Sequence, residues 1–272
     1  MKKALVLLSA LWAFLIGGYP REASAKDIQR IISFRPNVTE ILFALGLGAK
    51  VVGVTDFCHY PPEVEKIERI GGYFNRRLEK ILSLQPDLVV LVPDATTAKI
   101  ESALKRSGIA TLVLHADSID DVYDSISKMA EANGIPEKGR SLVAQIQSQM
   151  EAKSRSALNL PKTKTLLVIQ RHPLITSGDG TFLDRLLTLA GGENIAGSSK
   201  LPYPQFSMES VIARAPEVII DFDASDPGDF WSRYDSIPAV KNQRVRHLTP
   251  DLFIPGPRLP EALDLLIENL HK

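Results

Sequence analysis

One segment occurs twice in this chain of 272 residues and constrains its fold more than any other feature. Residues 78–90 (LEKILSLQPDLVV) and residues 208–220 (MESVIARAPEVII) share one order, in which a short amphipathic stretch with Glu at its second position leads to Pro and an apolar run. Helix, proline and strand form a common α/β unit, which could recur by chance. Because the elements around the two segments also recur in the same order, the repeat predicts two similar lobes.

Short β-branched runs alternate with amphipathic stretches along the rest of the chain, which is typical of an α/β fold with mainly parallel sheets. Between the two halves, residues 137–159 contain no turn signal and carry Leu142, Ile146 and Met150 at a spacing of four, on one predicted helical face. A single rigid helix between lobes permits only small closures. The pattern predicts an N-terminal α/β lobe, one long linking helix and a C-terminal α/β lobe, at residues 26–136, 137–160 and 161–272.

The first 25 residues have the pattern of a secretory signal. Lys2 and Lys3 precede an apolar stretch from Ala4 to Gly17, and residues 23–25 (ASA) form a small-x-small cleavage site. The apolar stretch is shorter than the ~20 residues that a membrane-spanning helix needs. We therefore expect a cleaved signal peptide at residues 1–25 and a periplasmic protein without a lipid anchor, since no cysteine follows the cleavage site.

Charge and cysteine content limit the classes of partner. The chain has 32 basic and 32 acidic residues, which argues against nucleic acid or an anionic membrane as its main partner. Cys58 is the only cysteine, so no intramolecular disulfide forms. We expect a monomer that binds no nucleic acid.

Four loops place aromatic rings among Pro and Gly near the predicted strand ends, where ligands bind in open α/β sheets. Rings on stiff loops give a large contact area at low entropic cost, which suits a large, partly flat ligand. Each ring could instead pack against its own lobe. The four loops are residues 56–62 (DFCHYPP), 71–75 (GGYFN), 171–173 (RHP) and 201–205 (LPYPQ).

Two short motifs predict helix starts. Residues 37–40 (NVTE) have the pattern of a capping box, in which Asn37 accepts from first-turn amides and Glu40 reaches back. Residues 181–184 (TFLD) predict a similar start in the second half. We expect both caps to be structural and to mark the mouth of each lobe.

Three histidines leave open a second interpretation, a receptor for a free transition-metal ion. His59, His172 and His247 all fall at predicted strand ends or in the loops that follow. Zinc and manganese sites need three or four converging ligands. No two of these histidines have local ligand spacing, so the sequence favours the metal receptor less than a receptor for a bulky ligand.

An enzyme is the alternative from another class, and the sequence carries no signature for it. Residues 46–48 (GLG) end a predicted helix and so do not form a dinucleotide fingerprint. The chain has no Gly-x-Ser-x-Gly, His-Glu-x-x-His or P-loop motif. Cys58 and His59 are adjacent in a predicted extended loop and would point in different directions. We expect no catalysis and no catalytic cofactor.

Several motifs together resemble the periplasmic substrate-binding proteins of ABC importers for cobalamin, ferric siderophores and haem. The resemblance extends over nearly the whole chain after the signal and is strongest to the cobalamin-binding members. In the first half it rests on Ser33-x-x-x-Asn37-x-Thr39-Glu40, Tyr60-Pro61-Pro62-Glu63, Ile70-Gly71-Gly72 and Leu78-Glu79-Lys80-Ile81 with Pro86-Asp87-Leu88-Val89. In the second half it rests on Thr176-Ser177-Gly178, Gly191-Gly192-Glu193-Asn194-Ile195 and Pro202-Tyr203-Pro204-Gln205.

The resemblance implies that a ligand is held between the lobes and delivered to a permease dimer in the inner membrane. In that family one surface glutamate per lobe docks onto permease arginines, and Glu79 and Glu209 occupy the matching positions. The alternative is that each is a solvated first-turn Glu favoured by the helix dipole.

The resemblance also implies which residues hold the ligand. Phe57, Tyr73 and Tyr203 match aromatic cleft positions of cobalamin-binding members, and Asp251 matches an acidic residue of the last cleft loop. Apart from the resemblance, we expect His172 to help orient the ligand. The chain departs from those members in having Val92-Pro93 and Ile175 at two aromatic positions and only Arg258 near a cleft arginine position. A corrinoid is therefore the expected ligand, and a ferric siderophore or haem the alternative.

Overall fold

The computed structural model describes residues 28–72 and 75–272, and within them each half of the chain forms one sheet. The first sheet is entirely parallel, with the strand order β3-β2-β1-β4-β5. Its strands are β1 (Ile31–Ser33), β2 (Val51–Val54), β3 (Glu68–Arg69), β4 (Leu88–Leu91) and β5 (Ala110–Val113).

The second sheet has the order β10-β9-β6-β7, and β8 also pairs with β6. All of its pairs are parallel except β6 with β7. Its strands are β6 (Thr163–Gln170), β7 (Ile175–Thr176), β8 (Gly192–Asn194), β9 (Val218–Asp221) and β10 (Val245–His247).

Helices cover the sheets, and one long helix joins the two halves. The N-terminal lobe has α1 (Pro36–Ala44), α2 (Leu78–Ser83), α3 (Thr97–Arg106) and α4 (Ile119–Ala132). The linking helix is α5 (Pro136–Ala157), and the C-terminal lobe has α6 (Phe182–Leu189), α7 (Met208–Arg214), α8 (Pro238–Lys241) and α9 (Leu259–His271).

Helix α5 buries Ile146 and Met150 on the face that the sequence predicts for it. It begins one residue before the predicted helix because Pro136 takes the first helical position, where its missing N–H costs nothing. Gly139 permits close approach to α4, since a Cβ there would lie 2.5 Å from the Cβ of Ala130. No helix among residues 28–72 and 75–272 is long and apolar enough to cross a membrane.

The largest hydrophobic core is shared by both lobes. It contains fully buried or nearly buried residues from α1, α4, α5, α6 and α9, namely Ile41, Met129, Ile146, Leu186 and Leu263. Each lobe has a further apolar cluster of its own around its sheet. The shared core restrains the lobes to small relative motions, because wide opening would expose apolar surface to water at a free-energy cost of about 25 cal/mol per Å².

The repeated segments adopt the same local structure. After α2 and after α7, a residue in the left-handed region precedes the proline, with φ of 47° at Gln85 and 48° at Ala215. In the first lobe the Asp87 carboxylate accepts from the backbone N–H of Arg30 at 3.0 Å, and in the second the Glu217 carboxylate accepts from that of Lys164 at 2.9 Å. Each acid ties its segment to the start of the central strand, so the predicted fold class of two similar α/β lobes with one joining helix is confirmed. The three residue ranges assigned above to the lobes and the linker stay a prediction, and residues 1–25 lie outside the described chain.

Candidate functional site

Loops from both lobes enclose a cavity of about 460 Å³. The N-terminal lobe contributes the start of α1 and the loop after β2, and the C-terminal lobe contributes the loop between β10 and α9. Both loops leave the carboxyl ends of their strands, which is where open α/β sheets bind ligands. The cavity is lined by Pro36, Glu40, Phe57, His59 and Tyr60 from one lobe and by Pro250, Asp251, Ile254 and Arg258 from the other.

A larger concavity of about 670 Å³ lies between the N-termini of α4 and α6. It includes Asp117, Asp120, Asp179 and Asp184 but none of the aromatic loops singled out in the sequence. We regard the smaller cavity as the candidate site because its aromatic rings and polar groups converge from both lobes.

An ion pair between the lobes forms one wall of the candidate cavity. The guanidinium of Arg258, just before α9, donates from Nε to Glu40 Oε2 at 2.9 Å and from Nη2 to Glu40 Oε1 at 2.6 Å. Nη2 also donates to the backbone carbonyl of Asp251 at 2.9 Å. The ring of Tyr60 lies 4.0 Å from the guanidinium carbon, within cation–π range. The pair therefore links α1, the loop after β2 and the loop before α9.

Burial decides the ionisation of this pair. Glu40 is only 4% exposed, and burial raises the pKa of its carboxyl even though the hydrogen bond from Arg258 opposes the rise. Burial lowers the pKa of Arg258, but Glu40 more than offsets this and the net pKa is raised. Arg258 remains charged, and its charge stabilises the ionised form of Glu40.

The capping box predicted at residues 37–40 is wrong. Helix α1 begins at Pro36 after an extended Arg35, and no side chain caps it. Asn37 therefore lies inside the first turn, and Glu40 lies a turn later, where it faces the other lobe. The predicted start at Thr181 is confirmed, since its side chain accepts from the backbone N–H of Asp184 at 3.2 Å.

The loop after β2 presents two rings at the cavity, with Phe57 46% and Tyr60 44% exposed. Arg69 braces this loop by donating to the carbonyl oxygens of Thr55 at 3.0 Å and Cys58 at 2.5 Å. Cys58, which lies between these two residues in the sequence, has a buried side chain whose sulfur is 3.2 Å from the hydroxyl oxygen of Thr55. Burial raises the pKa of this thiol. The cysteine acts as a buried anchor that turns its aromatic neighbours outward.

The predicted ligand residues do not all meet at this cavity. Phe57 and Asp251 line it, whereas Tyr203 and His172 do not. Tyr203 is 54% exposed in a loop whose Pro202 and Pro204 carbonyls accept from backbone N–H groups beside β7. His172 packs edge-on against Phe230, with ring centroids 5.0 Å apart. Tyr73 lies outside the described residues, and the role of all these side chains in binding stays a prediction.

Sequence reasoning missed the contribution of Glu40 and Ile254 to the cavity wall and placed Arg258 only nearby. Glu40 and Arg258 are separated by 218 positions, and no local spacing signals their contact. The one usable signal was an acidic residue directly before the apolar run 41–44 (ILFA), which needs a partner when buried.

A buried charge network stiffens the C-terminal lobe at the carboxyl ends of β6 and β9. Arg171, 3% exposed, donates to Asp221 at 2.7 Å and to the carbonyl of Ser225, while Trp231 Nε1 donates to Asp221 at 2.8 Å. Burial opposes ionisation of Asp223, but hydrogen bonds from Ser225 and the Arg171 N–H hold its pKa at about 2. This network fixes the loops after β6 and β9 relative to each other.

The two candidate docking glutamates occupy equivalent positions. Glu79 and Glu209 are exposed and each is the second residue of a short helix, α2 or α7. Ser207 caps α7 by accepting from the backbone N–H of Ser210 at 3.2 Å. A hydrogen bond from its own backbone N–H, and then one from Ser207, lowers the pKa of Glu209. This carboxylate is therefore ionised on the outer surface of its lobe.

The three histidines have separate surroundings. His59 lies 3.4 Å from Glu65, His172 lies against Phe230, and His247 Nδ1 lies 3.5 Å from Asp221. Within the part of the chain that the structure describes, no three His, Cys, Asp or Glu residues form a group that could hold a metal ion. The free-metal interpretation therefore receives no support from the described residues.

Comparison with known proteins relates this architecture to transport. The chain is 32% identical over 248 residues to the vitamin B12-binding protein of Vibrio vulnificus, covering 90% of this chain and 91% of that one. It is 35% identical over 259 residues to an uncharacterised ABC transporter substrate-binding lipoprotein of Bacillus subtilis, covering 90% and 81%. Both relatives are thus named as binding proteins.

A solved structure shows the same fold. The periplasmic haem-binding protein of Roseiflexus sp. RS-1, in its apo form, superimposes with a TM-score of 0.81 at 29% identity, covering 89% of this chain and 98% of that one. The model of the periplasmic binding protein family matches residues 31–252, which include both sheets and most of the residues that line the cavity. The chain belongs to the periplasmic binding protein family.

Proposed function

We propose that this protein is the extracytoplasmic substrate-binding component of an ABC importer, and that it captures a corrinoid between its lobes and delivers it to a permease. The observation that carries the proposal is the cavity between the lobes, where Phe57 and Tyr60 on one loop face Asp251 and Ile254 on another. Its volume of about 460 Å³ is smaller than a whole corrinoid, so the cavity would contact one part of the ligand. The vitamin B12-binding relative, similar over most of both chains, supports the choice of ligand.

The cavity walls suit a large, flat and partly polar guest. Two half-exposed rings offer apolar contact at little entropic cost, because the loop that carries them is braced by Arg69. Asp251 supplies a hydrogen-bond acceptor for the amide groups around a corrin ring. Tyr73 and Tyr203 would extend the aromatic surface, and His172 would orient the ligand from the second lobe.

Haem or a ferric siderophore is the second candidate ligand. The haem-binding protein from Roseiflexus matches this chain along most of its length, which supports haem as the alternative ligand. Haem and corrinoids are both flat tetrapyrroles with apolar faces. Side chains at the rim, and not the fold, must discriminate between them.

Delivery would require contact with a dimeric permease, for which Glu79 and Glu209 are suited. Equivalent carboxylates on two similar lobes match a two-fold partner with paired basic groups. Because the shared core includes α5 and α9, we expect the separation of the two carboxylates to change little when ligand binds. We infer further that the protein reaches the periplasm through a signal peptide cleaved after residue 25, and that it does not catalyse a reaction of its ligand.

Titration of the purified mature protein tests the ligand. Cobalamin, cobinamide, haemin and a ferric siderophore would each be added to folded protein, with binding measured by native mass spectrometry and by calorimetry. We expect one-to-one binding that favours the corrinoids. Folded protein that binds haemin or a siderophore but no corrinoid would transfer the proposal to that ligand, and failure of every chelate to bind would refute it.

A further inference from the structure

His59 is a polar residue in the cavity wall, and the aromatic contacts proposed for the ligand assign it no role. Its side chain is 57% exposed and lines the cavity on the loop that carries Phe57 and Tyr60. Its Nδ1 lies 3.4 Å from the Oε1 of Glu65, which is not among the residues that line the cavity. The Nδ1 edge of the imidazole is thus directed toward this carboxylate at the side of the cavity.

Glu65 is itself held in place and charged. Arg69 donates from Nη2 to Glu65 Oε2 at 3.0 Å while its Nη1 braces the backbone of the same loop. The hydrogen bond with His59, and then that with Arg69, lowers the pKa of Glu65. A fixed carboxylate therefore stands behind the imidazole.

This arrangement selects one tautomer of His59. A carboxylate beside Nδ1 favours the proton on that nitrogen and leaves the lone pair on Nε2, as in the carboxylate–histidine pairs that support metal ligands. Nε2 makes no hydrogen bond to residues 28–72 or 75–272. Because His59 lines the cavity and its side chain is more than half exposed, Nε2 is accessible to a guest there.

We propose that Nε2 of His59 coordinates the cobalt of a bound corrinoid whose axial position carries an exchangeable water, an inference that rests on the proposed function. The Nε2 lone pair forms the bond to cobalt as the water leaves, and the oxidation state of the metal does not change. The Nδ1 proton stays beside Glu65. The rings of Phe57 and Tyr60, on either side of His59 in the loop, contact the periphery of the macrocycle.

Two corrinoids with different axial chemistry test this proposal. Aquocobalamin has an exchangeable axial water, whereas cyanocobalamin has a tightly bound cyanide at the same axial position. We expect the visible absorption bands of aquocobalamin to shift on binding to the wild-type protein as imidazole replaces water. His59→Ala abolishes that shift and weakens aquocobalamin binding about tenfold or more, with cyanocobalamin binding changed less than about twofold.

Glu65→Gln tests the contribution of the carboxylate, since it keeps the size of the side chain and removes the negative charge beside the imidazole. We expect it to retain the spectral shift and to bind aquocobalamin about tenfold more weakly. His115→Ala is the matched control, because His115 is exposed and does not line the cavity.

The outcomes separate this inference from the proposed function. If aquocobalamin binds to the wild-type protein with its spectrum unchanged, or if His59→Ala binds both corrinoids as the wild type does, coordination is refuted and the corrinoid receptor stands. If neither corrinoid binds to the folded wild-type protein, both proposals fail together.

Discussion

The ion pair between Glu40 and Arg258 gives the sharpest stability prediction. Replacing Arg258 by Met keeps much of the side-chain volume and leaves Glu40, only 4% exposed, without its partner. Breaking a buried pair costs about 3–5 kcal/mol. The Arg258 side chain is 15% exposed at the cavity edge, so the lower end, about 3 kcal/mol, applies. For a chain of this size that corresponds to a fall in Tm of about 6–12 °C.

A double-mutant cycle at Glu40 and Arg258 distinguishes the loss of a charge partner from the loss of packing. Glu40→Met combined with Arg258→Met removes both charges, and we expect it to recover most of the loss, since an apolar pair of similar volume is often neutral. Urea unfolding of the ligand-free protein, followed by circular dichroism, measures all members of the cycle. An Arg258→Met protein within about 0.5 kcal/mol of wild type, or a double variant less stable than the single, would refute the reasoning.

The same variant has a defined pH dependence. Burial already raises the pKa of Glu40 in the folded protein, and loss of the opposing hydrogen bond from Arg258 raises it further. A carboxyl whose folded-state pKa exceeds its unfolded value favours the folded state at low pH and loses that contribution as pH rises through the folded pKa. The defect of Arg258→Met is therefore expected to be smaller at about pH 5 than at about pH 8.

Three further predictions concern the cavity, the permease surface and the linking helix. Phe57→Ala is expected to weaken corrinoid binding about tenfold by calorimetry through lost ring contact, while Leu158→Ala, at an exposed site near the end of α5, changes it little. Unchanged affinity in Phe57→Ala would remove this ring from the site. Glu79→Ala combined with Glu209→Ala is expected to leave corrinoid affinity within about twofold and to reduce permease-dependent uptake at least tenfold, and normal uptake would assign both residues to solvated helix starts. Gly139→Ala forces α4 and α5 apart and is expected to cost about 2 kcal/mol in urea unfolding, with wild-type stability contradicting the close approach.

Much of the architecture follows from local pattern. Apolar residues such as Ile146 and Met150 recur on one face of α5, and this spacing among neighbouring residues is enough to predict a helix. The repeated segments specify equivalent units because Gln85 and Ala215 both turn the chain before a proline. The short strands β3 and β7, by contrast, hold two residues each and carry no period that a sequence can display.

The cavity was only partly predictable. Phe57 and Asp251 follow strands, and topology brings the carboxyl ends of parallel strands to one edge of a sheet. Tyr203 and His172 also lie in loops that follow strands, yet neither lines the cavity. How far a loop reaches across an interface depends on the packing of the two lobes, to which distant residues contribute.

The sequence by itself determined two α/β lobes, the helix that joins them and the aromatic loops, because each depends on residues close together in the chain. Only the tertiary structure decided that Glu40 of α1 meets Arg258 before α9, and that His59 stands in the cavity wall with Glu65 behind it. The packing of α9 against α5 sets the distance between the lobes and thereby selects these contacts. Such distances arise from the summed packing of many side chains, which no short stretch of sequence encodes.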